Sequence, residues 1–284
     1  MKNTAILLLT CPDRKGLVAT ISDFVYRHNG NILHADEHGD AESGLFLMRV
    51  EFDPSELDIK FSEFSQHFLP IAEKYQMNWR LAQSNHRPKM AILVSKYDHC
   101  LVDLLYRHKS GELACDIPIV ISNHPDNKPI ADFYQVPFTV VPVPRDNKRE
   151  AEQKIFSLLH QHQPDFIVLA RYMQILPAEF LAEYPQRIIN IHHSFLPAFV
   201  GAKPYHQAFV RGVKLIGATS HYVTEVLDDG PIIEQDVVRI SHRDSLDDLL
   251  QKGRDLEKVV LSRGVQWHIE NRILVYGNKT VVFT

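Results

Sequence analysis

The sequence predicts an α/β protein of two domains, a smaller N-terminal βαββαβ domain and a larger domain built on a mostly parallel sheet. Strand-like and helix-like segments follow one another in the order βαββαβ over residues 5–83. The polar segment SNHRPK at 84–89, which contains Pro88, then precedes a new apolar strand and indicates a linker. Beyond it, short apolar strands alternate with helices, a pattern typical of parallel sheets covered by helices.

Hydrophobic periodicity and turn residues locate the elements of the first domain. They are, in order, a strand at 5–10, a helix at 16–28 ended by Gly30, strands at 31–38 and 45–52 joined by a turn at 40–44, a helix from about 56 to 75, and a strand at 77–83. We therefore expect a first domain at 1–84, a linker at 85–89 and a second domain at 90–284.

The second domain shows the βα alternation of an open, Rossmann-like sheet. Its predicted strands cover 90–94, 117–122, 138–141, 166–170, 187–191, 215–223 and 232–240. Helical spacing predicts helices at 149–162 and 245–263, and Gly277 with Asn278 predicts a closing hairpin.

Composition excludes several classes of protein. A formal net charge of -4 and a pI near 6.5 provide no basic field for nucleic acid. No apolar stretch approaches the roughly 20 residues of a membrane span, and charges follow the N-terminus too soon for a signal peptide, so we expect a cytoplasmic protein. Three scattered cysteines predict neither a disulfide framework nor a thiolate zinc site, and no metal or added cofactor is expected.

Polar side chains cluster where two predicted strands end. Asn190 and His192 close one strand, and ligands in open parallel sheets lie beyond the carboxyl ends of strands. Asp228 and Asp229 follow the strand at 215–223, just before Gly230 and Pro231 turn the chain back. We therefore expect the two loops to face one another across a cleft.

An amide, an imidazole and a carboxylate together suit attack on an acyl carbon. Asn190 would donate to a developing oxyanion. His192, paired with Asp228, would stabilise that oxyanion and protonate the leaving nitrogen, while the carboxylate would help to take a proton from the nucleophile. No GxSxG-type elbow indicates a covalent acyl-enzyme, so water or an amine would attack directly.

Each of these residues also has a structural interpretation. Asn190 is equally compatible with a turn or cap, and two adjacent histidines are unsurprising among 16. Asp228 and Asp229 are compatible with an exposed turn. A metal site at His192, His193 and His221 lacks supporting ligand spacing.

Long motifs resemble one family. NIHHSFLPAF at 190–199, the segment RGVKLIGATSHYVTEVLDDGPIIEQ at 211–235, VISNHPD at 120–126 and LARYMQILP at 169–177 are similar to the formyl-transferase fold family that uses 10-formyltetrahydrofolate. The resemblance spans nearly all of residues 88–284 and implies that Asn190, His192 and Asp228 are catalytic.

The same resemblance implies a folate site and a reaction. The segment Met173, Gln174, Ile175 and Leu176 would hold the pterin, with Gly201, His221 and Val223 completing the site; Gln174 stands where the ribonucleotide transformylases have Arg. The segment SKYDHCLVDLL at 95–105 lacks the glycines of their phosphate-binding loop, which implies water as acceptor and release of formate and tetrahydrofolate. Such an enzyme would supply formate for purine synthesis and balance one-carbon folate pools.

The N-terminal domain, through CPDRKGLVATISDFVYRHNGNI at 11–32, resembles the ferredoxin-like ACT domains. These commonly bind amino acids, which implies an effector site at Asp13, Gly16, Leu17, Asn29 and Asn31, and they pair, which implies a homo-oligomer. The same turn and glycine are compatible with a helix start alone, in a domain that serves only oligomerisation.

Two other functions remain open. The same site in a formyltransferase would pass the formyl group to an amine. Alternatively, an amino-acid-sensing protein would bind folate without turnover. Formate release in the absence of any amine distinguishes both from a hydrolase.

Overall fold

A computed structural model of the chain describes residues 3–144, 146–198 and 204–284. The chain forms two compact units: one contains the chain up to His86 together with Glu270–Thr284, and the other spans Arg87–Ile269. None of the helices in the described part of the chain has the length and apolar character that crossing a membrane requires.

The first unit contains the predicted βαββαβ order. Its elements are β1 (Ala5–Pro12), α1 (Leu17–Arg27), β2 (Asn31–Asp40), β3 (Leu45–Asp53), α2 (Phe64–Tyr75) and β4 (Asn78–Gln83). The strands form an antiparallel sheet in the order β2-β3-β1-β4. Both helices cover one face of this sheet, because their apolar stripes pack with alternate β1 residues in a single core.

Helix α2 begins later than the sequence analysis predicts. Residues 54–60 form an irregular segment with a turn at 55–56, followed by a single 3₁₀ turn at Phe61–Glu63. Leu57 and Ile59 pack against the core from this irregular segment, and Asp53 accepts a hydrogen bond from the Ser55 amide. That local hydrogen bond competes with a helix start, which explains the delay.

The second unit is an open α/β layer structure. Its elements are β5 (Lys89–Val94), α3 (His99–Ser110), β6 (Asp116–Ser122), α4 (Lys128–Phe133), β7 (Phe138–Val140), α5 (Lys148–His162), β8 (Phe166–Ala170), α6 (Ala178–Glu183), β9 (Ile188–His192), α7 (Pro204–Arg211), β10 (Leu215–Tyr222), β11 (Ile232–Arg239) and α8 (Leu246–Ile269). Helix α3 occupies most of the segment at 95–105, so the connection after β5 is short.

The seven strands of this unit lie in the order β11-β10-β9-β8-β5-β6-β7. Strands β5 to β9 pair in parallel, whereas β10 is antiparallel to both β9 and β11. The prediction of a mostly parallel sheet is confirmed. Strand order reverses at β5, where β6 lies on one side and β8 on the other, and such a switch point places a crevice at the carboxyl ends of the strands.

The closing hairpin belongs to the first unit. It consists of β12 (Ile273–Tyr276) and β13 (Lys279–Val282), and its apolar side chains pack on Ile6, Leu8 and Leu47, the face of the first sheet opposite α1 and α2. The sequence analysis groups residues 270–284 with the second domain instead. The difference has a physical reason: β1 is apolar on both faces, so both faces need a cover.

Candidate active site

A cavity of about 320 Å³ lies at the carboxyl ends of β8 and β9. Its lining includes Asn190, His192, His221 and Asp228, together with the segment that follows β8 and the start of the β10–β11 loop. The structure therefore brings together the three predicted catalytic residues and the predicted folate residues Met173, Gln174, Ile175, Leu176, His221 and Val223. The predicted residue Gly201 lies outside the described residues.

Asp228 and His192 form a hydrogen-bonded pair at this cavity. The Nδ1 atom of His192 lies 3.2 Å from Oδ1 of Asp228, and both side chains are largely buried. Burial opposes ionisation of Asp228, but the hydrogen bond and charge of His192 outweigh it and hold the pKa of the carboxyl below its usual value. An ionised carboxylate only accepts, so Nδ1 donates. The other ring nitrogen of His192, Nε2, has no hydrogen-bond partner among the described residues.

The β10–β11 loop holds Asp228 in an uncommon backbone conformation. Its φ of 56° lies in the left-handed region, which Asp tolerates better than most residues. Two residues later, a Cβ on Gly230 would collide with the carbonyl oxygen of Tyr222, so only glycine lets the loop approach β10 this closely. The Tyr222 amide bonds to the Pro231 carbonyl (2.9 Å) and closes the loop.

Asn190 is oriented by His221, which lies opposite it in the β9–β10 ladder. The Nδ1 atom of His221 lies 3.0 Å from the Tyr222 carbonyl oxygen, which only accepts, so Nδ1 carries the proton. Nε2 then accepts from Nδ2 of Asn190 at 3.1 Å. Burial lowers the pKa of His221 against the opposing effect of that carbonyl, which favours a neutral ring. One N–H of the Asn190 amide is thus used, and the second is available to a ligand.

The opposite side of the cavity is apolar. Met173 and Ile175 are 54% and 63% exposed, unusual for large apolar side chains in a segment that follows a buried strand. The Met173 amide donates to Ser95 Oγ (3.0 Å), which fixes the segment to the end of β5. This side of the cavity suits a flat ring system.

Polar residues that the sequence analysis did not assign to the site also line this cavity, among them Arg171 and His193, the latter considered there only as a metal ligand. Arg171 directly follows the buried strand β8, and a charged residue at the carboxyl end of a parallel strand was a usable indication. His193 follows β9. Burial, aided by the positive charge of Arg171, lowers the pKa of His193 to about 3.

A second polar cluster lies in the same unit. Within the described residues, one group of three potential metal ligands occurs, His99, Cys100 and Glu257, with ligand atoms within 4.8 Å of one another. Burial and the charge of Glu257 raise the pKa of the Cys100 thiol well above its usual value, which disfavours a thiolate ligand. Arg171 Nη1 lies 3.4 Å from Glu257. The Arg171 guanidinium thus supplies the positive charge that a metal ion would supply in a metal site. We interpret the cluster as a hydrogen-bond network.

The predicted effector residues of the first unit form two groups. Asp13, Gly16 and Leu17 precede or begin α1, whereas Asn29 and Asn31 follow its end. An 11-residue helix separates the groups by about 16 Å. The Asn29 side chain donates to the Glu56 carbonyl (2.8 Å). Within one chain, the structure does not bring these five residues together.

Comparison with known proteins gives consistent results. The family model described as formyl transferase matches residues 88–265. The chain is 55% identical to a formyltetrahydrofolate deformylase of Synechocystis sp. over 99% of this chain and 98% of that protein, and 47% identical to one of Bacillus subtilis over 98% and 93%. A crystal structure of a formyltetrahydrofolate deformylase from Pseudomonas syringae superposes with a TM-score of 0.98 at 52% identity, covering 100% of this chain and 95% of that one. The resemblance to the formyl-transferase fold family is confirmed, and this chain belongs to the formyl transferase family, among the formyltetrahydrofolate deformylases.

Proposed function

We propose that this chain hydrolyses 10-formyltetrahydrofolate to formate and tetrahydrofolate, with Asn190, His192 and Asp228 as its catalytic residues. The observation that carries the assignment of these residues is the 3.2 Å contact between His192 and Asp228 beside an oriented Asn190 amide in one cavity. Membership among the deformylases supports the reaction itself.

The geometry supports a separate task for each group in this proposal. A water molecule attacks the formyl carbon, and its proton passes to the Asp228–His192 pair. The oxyanion that forms accepts hydrogen bonds from the remaining N–H of Asn190 and from Nε2–H of protonated His192. The bond between the formyl carbon and N10 then breaks, and the pair returns a proton to N10 so that a neutral amine leaves. One water is consumed, and formate and tetrahydrofolate are produced.

The predicted folate residues agree with this placement. The apolar side formed by Met173, Ile175 and Leu176 would take the pterin, while Val223 and the neutral His221 border the catalytic end. A buried neutral His221 keeps the region beside Asp228 free of a second positive charge. No added cofactor takes part in the proposed reaction, and its products belong to one-carbon folate metabolism, where formate feeds purine synthesis.

Formate release from 10-formyltetrahydrofolate in buffer, without any added amine, tests this function. We expect equal amounts of formate and tetrahydrofolate. Turnover that requires an amine would instead indicate a formyltransferase. Binding without turnover would indicate a folate-binding protein with a sensing role.

We also propose that the chain forms a homo-oligomer through the first unit and that an amino acid binds there. Strand β2 is an edge strand of ten residues with no buried side chain, and an unpaired edge can pair with another copy. Only a second copy could bring the two groups of predicted effector residues, Asp13, Gly16 and Leu17 with Asn29 and Asn31, to one site. Sedimentation of the protein, and formate release with and without individual amino acids, test these two points.

A further inference from the structure

Arg171 lines the catalytic cavity but has no task in the proposed hydrolysis. It follows the carboxyl end of β8 with a φ of 61°, in the left-handed region that a bulky residue seldom adopts. Its side chain is 9% exposed. A guanidinium is costly to bury, so its position beside the catalytic residues requires a physical explanation.

The contacts of Arg171 hold its charge in place without saturating its donors. Nη1 lies 3.4 Å from Oε2 of Glu257, and the guanidinium carbon lies 5.1 Å from the ring centroid of Tyr97. Nε and Nη1 are buried and have no hydrogen-bond partner among the described residues. A guanidinium buried for stability alone normally satisfies its five donors. Here the contacts hold the Arg171 guanidinium between the cavity and the Glu257 carboxylate.

Glu257 is an ionised carboxylate directly behind this guanidinium. It is 1% exposed, and Oε2 accepts from His99 Nε2 (2.7 Å) while Oε1 accepts from the Tyr205 hydroxyl (2.8 Å). Burial opposes its ionisation, but the bond from His99 and the charge of Arg171 outweigh burial and lower the pKa of the carboxyl. Gly253, one turn earlier on α8, leaves room for the Tyr205 ring, since a Cβ there would collide with it. The anion, carried by α8, is therefore fixed by His99 of α3, Tyr205 of α7 and Arg171 after β8.

We propose that Arg171 determines which acceptor the site uses, because its side chain lines the cavity and its guanidinium lies against the Glu257 carboxylate. Amines are the nucleophiles that compete with water for a formyl group, and short amines carry an ammonium at neutral pH. The positive charge of Arg171 repels that ammonium, and its bulk occupies the space that an amine would need. This inference rests on the proposed hydrolase function.

Removal of the guanidinium reverses both effects. The cavity gains the volume of the guanidinium, and Glu257 keeps its bonds from His99 and Tyr205 but loses its guanidinium partner. A short diamine can then bind one nitrogen as ammonium at Glu257 and present the other, neutral, to the formyl carbon. A C–N bond to the diamine forms, the bond to N10 breaks, and the proton lost by the attacking nitrogen passes through the Asp228–His192 pair to N10. The products are an N-formyl diamine and tetrahydrofolate.

The experiment compares the wild type with Arg171→Ala in ethylenediamine or putrescine. Tetrahydrofolate reports total turnover, formate reports hydrolysis, and mass spectrometry reports N-formyl diamine, with an enzyme-free blank subtracted. We expect only formate from the wild type. For Arg171→Ala, the ratio of N-formyl diamine to formate should exceed that of the wild type at least about tenfold. Arg187→Ala is the matched control, because Arg187 is exposed and also lies 5.1 Å from a tyrosine ring, that of Tyr184; it should give only formate.

The double variant Arg171→Ala with Glu257→Gln separates volume from charge. It leaves no unpaired buried charge, so it folds even where the single variant does not. Hydroxylamine, which is neutral at pH 7, should be formylated by the double variant and not by the wild type. With diamines, the ratio of N-formyl diamine to formate should be lower for the double variant than for Arg171→Ala.

Each remaining outcome overturns the proposal. Folded Arg171 variants that release only formate at every amine concentration would show that Arg171 does not select the acceptor. Loss of both products in the folded variants would place Arg171 in the hydrolytic step. The proposed function is tested separately by wild-type formate release without amine, so a failure of one is distinguishable from a failure of the other.

Discussion

Two carboxylates of the second unit each contact a histidine, yet their surroundings differ. Glu257 is saturated: both of its oxygens accept hydrogen bonds, from His99 and Tyr205, and Arg171 lies beside it. Asp228 contacts His192 through Oδ1, and the far nitrogen of that ring has no partner among the described residues. Glu257 lies on a long helix, whereas Asp228 lies on a loop with left-handed backbone.

We infer that this difference separates a group that stabilises the fold, Glu257, from a group that takes part in the proposed reaction, Asp228. A saturated buried carboxylate cannot take up another proton or ligand without losing a partner. A carboxylate on a strained loop, paired with an imidazole that retains an unused nitrogen, can exchange protons with a ligand. Removal of Asp228 should therefore affect rate, and removal of Glu257 should affect stability.

The largest expected effect tests Asp228. Asp228→Asn should lower the rate of formate release by about 10²- to 10⁴-fold, since it removes the proton acceptor and the partner of His192. Folate binding, followed by fluorescence titration, should be unchanged. Asp229→Asn alters the adjacent, exposed carboxylate and should keep the wild-type rate. An unimpaired rate in Asp228→Asn would reject the assigned role.

The next effect tests Glu257. Glu257→Gln leaves Arg171 without its charge partner in the interior and should lower the free energy of unfolding by about 3–5 kcal/mol, measured in urea. Glu183→Gln is a matched control, because Glu183 contacts His160 at the same 2.7 Å but with exposed side chains. It should cost less than about 1 kcal/mol. Equal losses from the two variants would contradict the role of burial.

A third change tests what holds the β10–β11 loop, which carries Asp228, in position. Gly230→Ala introduces a methyl group against the Tyr222 carbonyl, so the loop that carries Asp228 must shift. We expect a stability loss of about 1–3 kcal/mol together with a reduced rate. Gly212→Ala, at a φ of 68° with open space around it, should affect stability alone. A wild-type rate in Gly230→Ala would show that the loop position is not critical.

The smallest effect concerns His193, whose ring centroid lies 5.3 Å from His192 and 5.9 Å from Tyr205, between the two clusters. Its pKa is about 3 in the folded chain and near 6.5 when unfolded. Between these values the unfolded chain binds the extra proton, so stability is complete above pH 6.5 and falls as the pH is lowered toward 3.

His193→Gln should reduce the slope of unfolding free energy against pH in this window by up to about 1.4 kcal/mol per pH unit. Urea unfolding at a series of pH values measures this slope. The same replacement at the exposed His86 is the matched surface control. A slope that His193→Gln does not alter would contradict the buried, uncharged state of His193.

The sequence predicts the sheet well because buried strands are continuous apolar runs, as in β5 and β8. It predicts helices less well. Helix α3 has Cys100, Leu101, Leu104 and Leu105 at helical spacing and could have been found, whereas α4, α6 and α7 span only six to eight residues, too few for a periodic pattern. Helix α8 extends to Ile269, beyond the predicted end at residue 263.

At the site, motifs locate Asn190, His192 and Asp228 because each follows a recognisable strand. They do not locate the pairing of Arg171 with Glu257, since ion pairs between distant segments leave no local pattern. The orientation of Asn190 likewise depends on strand register, which places His221 opposite it. These relations follow only from tertiary structure.

The hairpin of β12 and β13 has a consequence for biosynthesis. Because Ile6, Leu8 and Leu47 are covered by residues near 274–283, the first unit cannot acquire its full core until the ribosome has translated the whole catalytic unit. A nascent chain would meanwhile present these side chains to solvent, a surface of the kind that chaperones bind. Residues translated after the second unit thus complete the core of the unit that is translated before it.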